Sequence, residues 1–300
     1  MSFTQTTIKI PSSTDGWNLD VWQYLPPRHS APHPVIIMAH GLSSNKLMGL
    51  SEYAETFVAQ GYACLVFDYR RWGTSDGTPR HVVVVKEQLE DYRTLIKYAR
   101  NQEHFDGQRV ILWGTSFAGG HVTTLAAEPS LTVQAVIAQC PHFGFTPTPS
   151  LSTGFLATTF LAVYDYAKQS LGFQPTYIPA AAPPGCVGVM TTPDSMDGIR
   201  ALVKDESSSP NELSASSLLE VAGYKPYKIA SKIAFPLLLI APEDDTLCIL
   251  EGATRVSKAS EKVHLVRLPE CGHFEVYPGQ KEYNTSLQAQ LEFLKEHVPL

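Results

Sequence analysis

Ser116 lies in the segment Gly114-Thr115-Ser116-Phe117-Ala118-Gly119, directly after the apolar run 110–113. A serine at a tight turn between a strand and a helix projects its hydroxyl from the edge of a sheet, and small residues two positions before and after it relieve crowding. Gly114 and Ala118 are those small residues. The N-terminus of the following helix favours negative charge that develops beside it. The segment therefore predicts Ser116 as a nucleophile.

A serine hydroxyl is a poor nucleophile near neutral pH, so it needs a base, and the base needs an orienting acid. Two later apolar runs lead to such groups. "PLLLIAPEDD" ends on Asp244 and Asp245, and "VHLVRLPECGH" ends on His273. The order serine, acid, histidine is the one expected when the serine occupies a strand-to-helix turn. We predict His273 as the base and Asp245 as the acid, with Asp244 as the alternative acid.

Acyl transfer passes through a negatively charged oxygen that needs two backbone N–H donors. The Phe117 amide is one expected donor because this residue directly follows the nucleophile. The Leu42 amide is the other, because it follows His40-Gly41, a turn after an early apolar run that lets backbone approach a substrate. We therefore predict an oxyanion hole formed by Leu42 and Phe117.

The remaining histidines near these segments give no metal-ligand spacing. His40 is interpreted as a structural turn residue and His121 as a packed helix residue, while His142 stays open between lining the pocket and a structural role. Neither a metal ion nor a cofactor is therefore predicted. The five cysteines are scattered without paired spacing and are expected to be reduced thiols.

The elements that must position these residues are indicated by short apolar runs separated by amphipathic helical patterns. Continuous rather than alternating apolarity is typical of parallel strands buried on both faces, and the alternation with helices predicts an α/β fold. The first forty residues add two strand-like pieces, "TTIKI" and "LDVWQYL", which predict an antiparallel start to the sheet. The apolar runs span 35–39, 63–67, 110–113, 135–138, 237–240 and 263–266.

The alternation is interrupted between residues 143 and 230, where an apolar helical run precedes a segment rich in proline and glycine. We predict a core formed by residues 1–142 and 231–300, with a cap insertion of residues 143–230 over the carboxyl edge of the sheet. The apolar run is interpreted as a buried cap helix rather than a membrane anchor, because Tyr164, Asp165, Tyr166 and Lys168 interrupt it.

Composition narrows the choice of partners. The formal net charge is −6, and no Lys/Arg cluster is longer than a pair, so nucleic acid is not an expected partner. No segment is long and apolar enough to span a membrane, and the first residues lack the pattern of a secretory signal. We expect a cytoplasmic protein without a membrane partner.

The chain resembles the α/β-hydrolase-fold serine hydrolases. The resemblance rests on His40-Gly41, the loop from Asp68 to Arg80, the segment around Ser116, Asp245 and Gly272-His273, which follow one another in the family's order. Ala118 departs from the pattern G-x-S-x-G, but alanine is small enough for the turn. Within the family the chain is similar to the dienelactone-hydrolase-like and X-Pro-peptidase-like branch, which includes fungal enzymes that release or transfer polyketide acyl chains.

The resemblance implies a mostly parallel sheet with helices on both faces, a largely helical cap, and a Ser116–His273–Asp245 triad. The expected reaction is hydrolysis of an ester or thioester of a hydrophobic, polyketide-like acyl group through an acyl-enzyme on Ser116. The alternatives are transfer of the acyl group to an alcohol or amine, hydrolysis of a peptide or carbon–carbon bond, and a binding protein without catalysis. The expected substrate is a small acyl compound, and an acyl carrier domain and a homodimer both stay open as partners.

Overall fold

The computed structural model describes residues 3–27, 32–146 and 151–300, and within these ranges strands and helices alternate. The strands are β1 (Thr4–Pro11), β2 (Asn18–Leu25), β3 (His33–Ala39), β4 (Ala63–Phe67), β5 (Phe105–Thr115), β6 (Ala135–Gln139), β7 (Tyr177–Ile178), β8 (Leu213–Ser214), β9 (Leu237–Pro242) and β10 (Val263–Leu268). The α-helices are α1 (Ser51–Ala59), α2 (Val85–Arg100), α3 (Phe117–Ala126), α4 (Thr153–Ser170), α5 (Ser195–Leu202), α6 (Ser217–Gly223), α7 (Leu250–Ala259) and α8 (Tyr283–His297).

Eight of these strands form one sheet in the order β1-β2-β4-β3-β5-β6-β9-β10. The six strands from β4 to β10 are mutually parallel, while β2 pairs antiparallel with both β1 and β4. Each apolar run predicted as a strand lies within one of the six parallel strands. The α/β-hydrolase fold and the antiparallel start of the sheet are both confirmed.

Two apolar cores lie on opposite faces of the sheet. One includes Tyr92 of α2 and Val122 of α3, and the other includes Phe57 of α1 and Leu294 of α8. Strands β3, β4 and β6 are buried along their whole length because helices cover both faces. This double covering explains why these strands are apolar without alternation.

The last parallel strand differs from what its sequence predicts. Run 263–266 was expected to be buried on both faces, but most residues of β10 are partly or fully exposed. The reason is its position at the edge of the sheet, where only β9 pairs with it. An apolar run alone does not distinguish an edge strand from a central one.

The sheet is interrupted between β6 and β9 by α4, β7, α5, β8 and α6, with β7 and β8 forming a small separate ladder. The predicted domain boundaries at 142/143 and 230/231 stay a prediction. Residues 1–2, 28–31 and 147–150 of the two predicted domains lie outside the described residues. No helix in the described part of the chain is long and apolar enough to cross a membrane.

The expectation that the apolar run forms a buried cap helix is wrong for one face of α4. Its inner face is buried at Gly154, Thr158, Ala162 and Asp165, but Phe160 is 69% exposed on the other side. The sequence of α4 is apolar on both faces, so it does not show which face is covered.

Candidate active site

The turn between β5 and α3 places Ser116 at the carboxyl edge of the sheet. β5 ends at Thr115 and α3 begins at Phe117, while Ser116 between them has φ 56° and ψ −118°. This left-handed conformation is strained for a non-glycine residue and is often found at functional sites. A β-carbon at Gly114 would overlap the carbonyl group of Ala118, so the turn requires glycine there.

The three residues predicted as a triad lie together. His273 Nε2 is 3.1 Å from Ser116 Oγ, and His273 Nδ1 is 2.7 Å from Asp245 Oδ2. Asp245 and His273 are almost completely buried, whereas Ser116 is partly exposed. Ser116 therefore keeps partial contact with solvent, while the acid and the base behind it are shielded from water.

The loop after β9 separates the two candidate acids. The Asp245 carboxylate accepts hydrogen bonds from the backbone N–H groups of Leu247 (2.8 Å) and Cys248 (2.7 Å) in addition to its contact with His273. The neighbouring Asp244 is exposed and has no place in this array. The geometry brings Asp245, and not Asp244, to the histidine.

The loop after β3 packs directly against the nucleophile. A β-carbon at Gly41 would lie 2.9 Å from Ser116 Cβ and 3.3 Å from its Oγ. The next residue is Leu42, and neither its amide nor that of Phe117 donates a hydrogen bond to any described residue. An unpaired amide at the first position of a helix is available to an anionic ligand.

The buried ammonium group of Lys46 holds the loop after β3 in place. Lys46 is 3% exposed, and its Nζ lies 2.7 Å from Asp20 Oδ1 and 2.7 Å from Thr74 Oγ1, with Asp68 as a further partner. The Lys46 amide also donates to Asp68 Oδ1 at 2.7 Å. Asp68 therefore braces the loop after β3. His40, also buried, has its Nδ1 3.0 Å from the Gly41 carbonyl oxygen.

A second polar network lies beneath the turn that carries Ser116. The backbone carbonyl oxygen of Gln139 in β6 accepts a hydrogen bond from the Ser116 amide at 2.8 Å. The side-chain amide of Gln139 donates a hydrogen bond to Thr115 Oγ1 at 3.3 Å. Gln290 of α8 and Ser286 donate to the Gln139 side-chain oxygen at 2.9 and 2.8 Å. Every polar group here has a partner, which rigidifies the support of the nucleophile. Gln139 was not among the predicted site residues, although a glutamine at the end of an otherwise apolar strand is a signal for it.

The segment between β6 and β9 reaches the site from two sides. Beside His273, the ring of Phe274 packs so closely against α5 that a β-carbon on Gly198 would overlap it. Thr246 donates a hydrogen bond to the Asp194 carboxylate just before α5. The predicted cap is thus in contact with the loops that carry the acid and the base.

On the other side, Tyr224 follows α6 and packs against Phe117, with ring centroids 5.5 Å apart. Its hydroxyl is 3.0 Å from His121 Nδ1, and Gln88 Oε1 is 2.8 Å from His121 Nε2. Burial, followed by the nearby His142, lowers the pKa of His121 to about 3. His121 is therefore a neutral packed residue, as expected.

His142 retains the two interpretations that the sequence left open. Its ring lies 5.4 Å from that of Phe117, and its Nε2 is buried with no hydrogen-bond partner among the described residues. Burial, followed by the Lys225 charge, lowers the pKa of His142 to about 4. The side chain is a neutral imidazole next to the helix that begins after Ser116.

Cys248 is a site residue that the sequence analysis missed. Its thiol lies within 4.8 Å of donor atoms of Asp245 and His273. Burial, followed by the Asp245 charge, raises the pKa of this thiol well above its usual value, so it stays protonated. Three donors at this spacing are compatible with a metal ion, and the absence of a metal therefore stays a prediction.

The sequence matches the family described as Serine aminopeptidase, S33 (Hydrolase_4) over residues 30–275. The chain belongs to this S33 hydrolase family. The match includes Gly41, Ser116, Asp245 and His273, the residues that the fold brings to one edge of the sheet. The family membership predicted from the sequence is confirmed.

Among S33-like relatives, the quorum-quenching protein AidA of Acinetobacter baumannii (strain MDR-ZJ06) is 39% identical over 269 residues, covering 89% of this chain and 88% of AidA. The polyketide transferase grgF of a Penicillium species is 27% identical, covering 96% of this chain and 95% of grgF. The structure of DcsB in complex with its substrate analogue superposes with a TM-score of 0.82 at 22% identity, covering 98% and 99% of the two chains. The fold is thus shared with a solved structure, and the relatives of this chain include a polyketide transferase.

Proposed function

We propose that the protein is a serine hydrolase that cleaves an ester or thioester of a hydrophobic acyl group through an acyl-enzyme on Ser116. The observation that carries the proposal is the continuous hydrogen-bonded array from Ser116 Oγ through His273 to Asp245. A serine, a histidine and a buried carboxylate in this order are the parts that nucleophilic acyl transfer requires.

In the first half-reaction, His273 Nε2 takes the proton of Ser116 Oγ while the oxygen attacks the carbonyl carbon. The carbonyl oxygen becomes an oxyanion, which accepts hydrogen bonds from the amides of Leu42 and Phe117. Asp245 holds the His273 Nδ1–H and stabilises the imidazolium that forms. Collapse of the intermediate breaks the bond to the leaving alcohol or thiol, which receives the proton from His273.

In the second half-reaction, water replaces the leaving group. His273 takes a proton from the water, and the resulting hydroxide attacks the acyl carbon. The intermediate is held by the same two amides, and its collapse releases the carboxylic acid and returns the proton to Ser116 Oγ. All groups regain their starting protonation states, so the two proposed half-reactions are complete with water and the protein's own side chains.

Acyl transfer is the second candidate, and the grgF relative, a polyketide transferase, favours it. The same residues would act, but an alcohol or amine would replace water in the second half-reaction. The choice depends on how well the segment around α5 and Tyr224 excludes water from the acyl-enzyme.

The AidA relative favours a particular class of ester for the hydrolase. A quorum-quenching protein removes a diffusible signal, and a serine hydrolase would do so when the signal contains an ester. An N-acyl homoserine lactone combines a ring ester with a hydrophobic chain. We therefore add acyl lactones to the thioesters and open esters as substrates to test.

The test follows the products of three substrate series by mass: acyl thioesters, open acyl esters and N-acyl homoserine lactones, each with increasing chain length. Every reaction is run with and without an added alcohol, and Ser116→Ala is the control. Free acid as the main product, lost in Ser116→Ala, supports hydrolysis, and the series turned over fastest gives the substrate class. Acyl ester of the added alcohol as the main product supports the transferase instead. Turnover that persists in Ser116→Ala contradicts both.

A further inference from the structure

The outer face of α4 is a continuous apolar stripe formed by Leu156, Phe160, Val163 and Ala167, which we call the α4 seam. All four residues are exposed, with Leu156 at 58%, Phe160 at 69% and Val163 at 56%. Their spacings of four, three and four residues place them on one line along the helix. This spacing is typical of a helix that packs lengthwise against a second helix.

The orientation of this face is fixed by the opposite side of the helix. The buried Asp165 carboxylate accepts from the backbone amides of Thr176 (2.6 Å) and Ser216 (2.9 Å), which ties α4 to the segments beneath it. The hydroxyl group of Thr158, also buried, lies 3.2 Å from the Gly188 amide that donates to it. The helix cannot rotate to bury the α4 seam without breaking these bonds.

The flanks of the α4 seam are polar or aromatic but carry no exposed acid. The other exposed positions of the helix are Thr153, Thr159, Tyr164, Tyr166 and Ser170. Asp165 is buried, and Lys168, the helix's single cation, points its ammonium to Thr176 Oγ1 at 3.2 Å. Two copies of this face can therefore approach each other without bringing like charges together.

The α4 seam is complementary to itself when two helices run antiparallel. A two-fold axis halfway between Phe160 and Val163 places Phe160 opposite Val163 of the second copy, and Leu156 opposite Ala167. Each layer then combines a larger side chain with a smaller one, as well-packed helix interfaces require. A symmetric interface uses the same patch on both partners, and this patch satisfies that condition.

The exposed area is also sufficient. At about 200 Å² per aromatic side chain, the exposed fractions of Phe160, Tyr164 and Tyr166 amount to roughly 360 Å². Leu156, Val163 and the nearby Leu171 and Phe173, at 77% and 62% exposed, bring the total to about 800 Å², the share of one partner in a standard interface. This summed area exceeds the roughly 300–600 Å² of the largest apolar patch on a typical monomer.

We propose that α4 pairs antiparallel with α4 of a second copy of this chain, so that the protein is a two-fold symmetric dimer through the α4 seam. The proposal does not depend on the reaction proposed above. A lipid surface is the competing occupant, but the net charge of −6 and the lack of a free basic residue on α4 oppose binding to anionic membranes.

The first test measures the mass of the full-length protein by sedimentation over a wide concentration range. We expect a dimer that Phe160→Asp weakens at least about a hundredfold, because the aspartate would be buried without a partner. Leu300→Asp is the matched control, since Leu300 is 67% exposed at the C-terminus and lies outside the α4 seam. Both substitutions are at exposed sites, and thermal melts verify that each variant is folded.

The second test fixes the register. In a Cys186→Ser background, which removes the exposed native thiol, Leu156→Cys and Ala167→Cys are combined in one chain. The two positions are eleven residues apart along the helix, a distance of about 16 Å, which is too far for a disulfide within one helix. Mild oxidation should give a covalent dimer with the double variant and not with either single variant.

A dimer that Phe160→Asp dissociates, together with crosslinking of the double variant alone, supports the proposal. A wild-type protein that is monomeric at every concentration contradicts it, as does a dimer that Phe160→Asp leaves intact. Binding of a monomeric wild-type protein to phosphatidylcholine vesicles, lost in Phe160→Asp, would assign the face to lipid and also overturn the proposal.

Discussion

Gly41 and Ser116 are in such close contact that a β-carbon on Gly41 would lie 2.9 Å from the β-carbon of the serine. The contact joins the loop after β3 to the turn after β5, two segments 75 residues apart in the chain. It brings the backbone that follows Gly41 beside the proposed nucleophile. The absence of a side chain at Gly41 is therefore a geometric condition of the proposed oxyanion hole.

Gly41→Ala should lower kcat about a hundredfold without unfolding the protein, because the new methyl group must push the two loops apart by several tenths of an ångström. Steady-state kinetics and a thermal melt measure the two effects. Gly223→Ala is the matched control, since a β-carbon there meets nothing within 4 Å, and it should leave kcat unchanged. Equal kcat values in Gly41→Ala and wild type would show that the contact has no part in catalysis.

Asp245→Asn should lower kcat by about 10⁴-fold, because an amide in place of the carboxylate no longer holds the His273 Nδ1–H in the orientation needed for proton transfer. Asp244→Asn should change kcat less than about threefold, since this neighbour is exposed. The pair of variants is measured with the same substrate. A larger loss in Asp244→Asn than in Asp245→Asn would reverse the assignment of the acid.

Lys46→Met should destabilise the fold by about 3–5 kcal/mol, because it leaves the buried Asp20 and Asp68 without their shared cation. Burial raises the pKa of Asp20, but the hydrogen bond and charge of Lys46, and then Lys9, lower it below its usual value, so the substitution removes the main group that stabilises this buried carboxylate. Urea unfolding gives the change in free energy. Lys9→Met, at a half-exposed lysine that pairs with Asp20, should cost about 1 kcal/mol or less.

His121 should make the folded protein less stable as the pH is lowered from neutral into the acid range. Burial first, and then His142, lowers the pKa of His121 from 6.5 to about 3 in the folded state. Between these values the unfolded chain binds a proton that the folded protein does not, so lowering the pH favours unfolding. The free energy of unfolding should fall by up to about 1.4 kcal/mol per pH unit from this residue.

Urea unfolding at a series of pH values from neutral to acidic measures this slope. His121→Gln should flatten it, whatever the variant does to stability at neutral pH. His264→Gln, at an exposed histidine of β10, is the comparison. An unchanged slope in His121→Gln would exclude His121 as the source of the acid sensitivity.

The central part of the site could be predicted because its residues follow local rules. A serine between Gly114 and Ala118 is recognisable as a tight turn, and Asp245 and His273 each follow an apolar run that forms a strand. Parallel strands bring their carboxyl ends to one edge, so these residues had to lie near each other. Local sequence was sufficient wherever one short motif determines one backbone geometry.

The features that the sequence did not predict depend on contacts between distant segments. Gln139 supports the nucleophile only because α8 packs under β6, and Cys248 reaches the site only because the loop after β9 turns back at Asp245. The exposure of Phe160 follows from which side of α4 meets the rest of the chain. Only Gln139 leaves a trace in the sequence, as a polar residue at the end of an apolar strand, and that trace does not show what it contacts.

The most direct test of the central claim is the mass of the intact protein, quenched during turnover of an acyl thioester or ester. We expect an added mass equal to the acyl group, located on Ser116 by peptide mapping and absent in Ser116→Ala. His273→Ala should suppress its formation, because the serine then has no base. An acyl group found on Cys248 or on any other residue, or equal labelling of Ser116→Ala, would contradict the account.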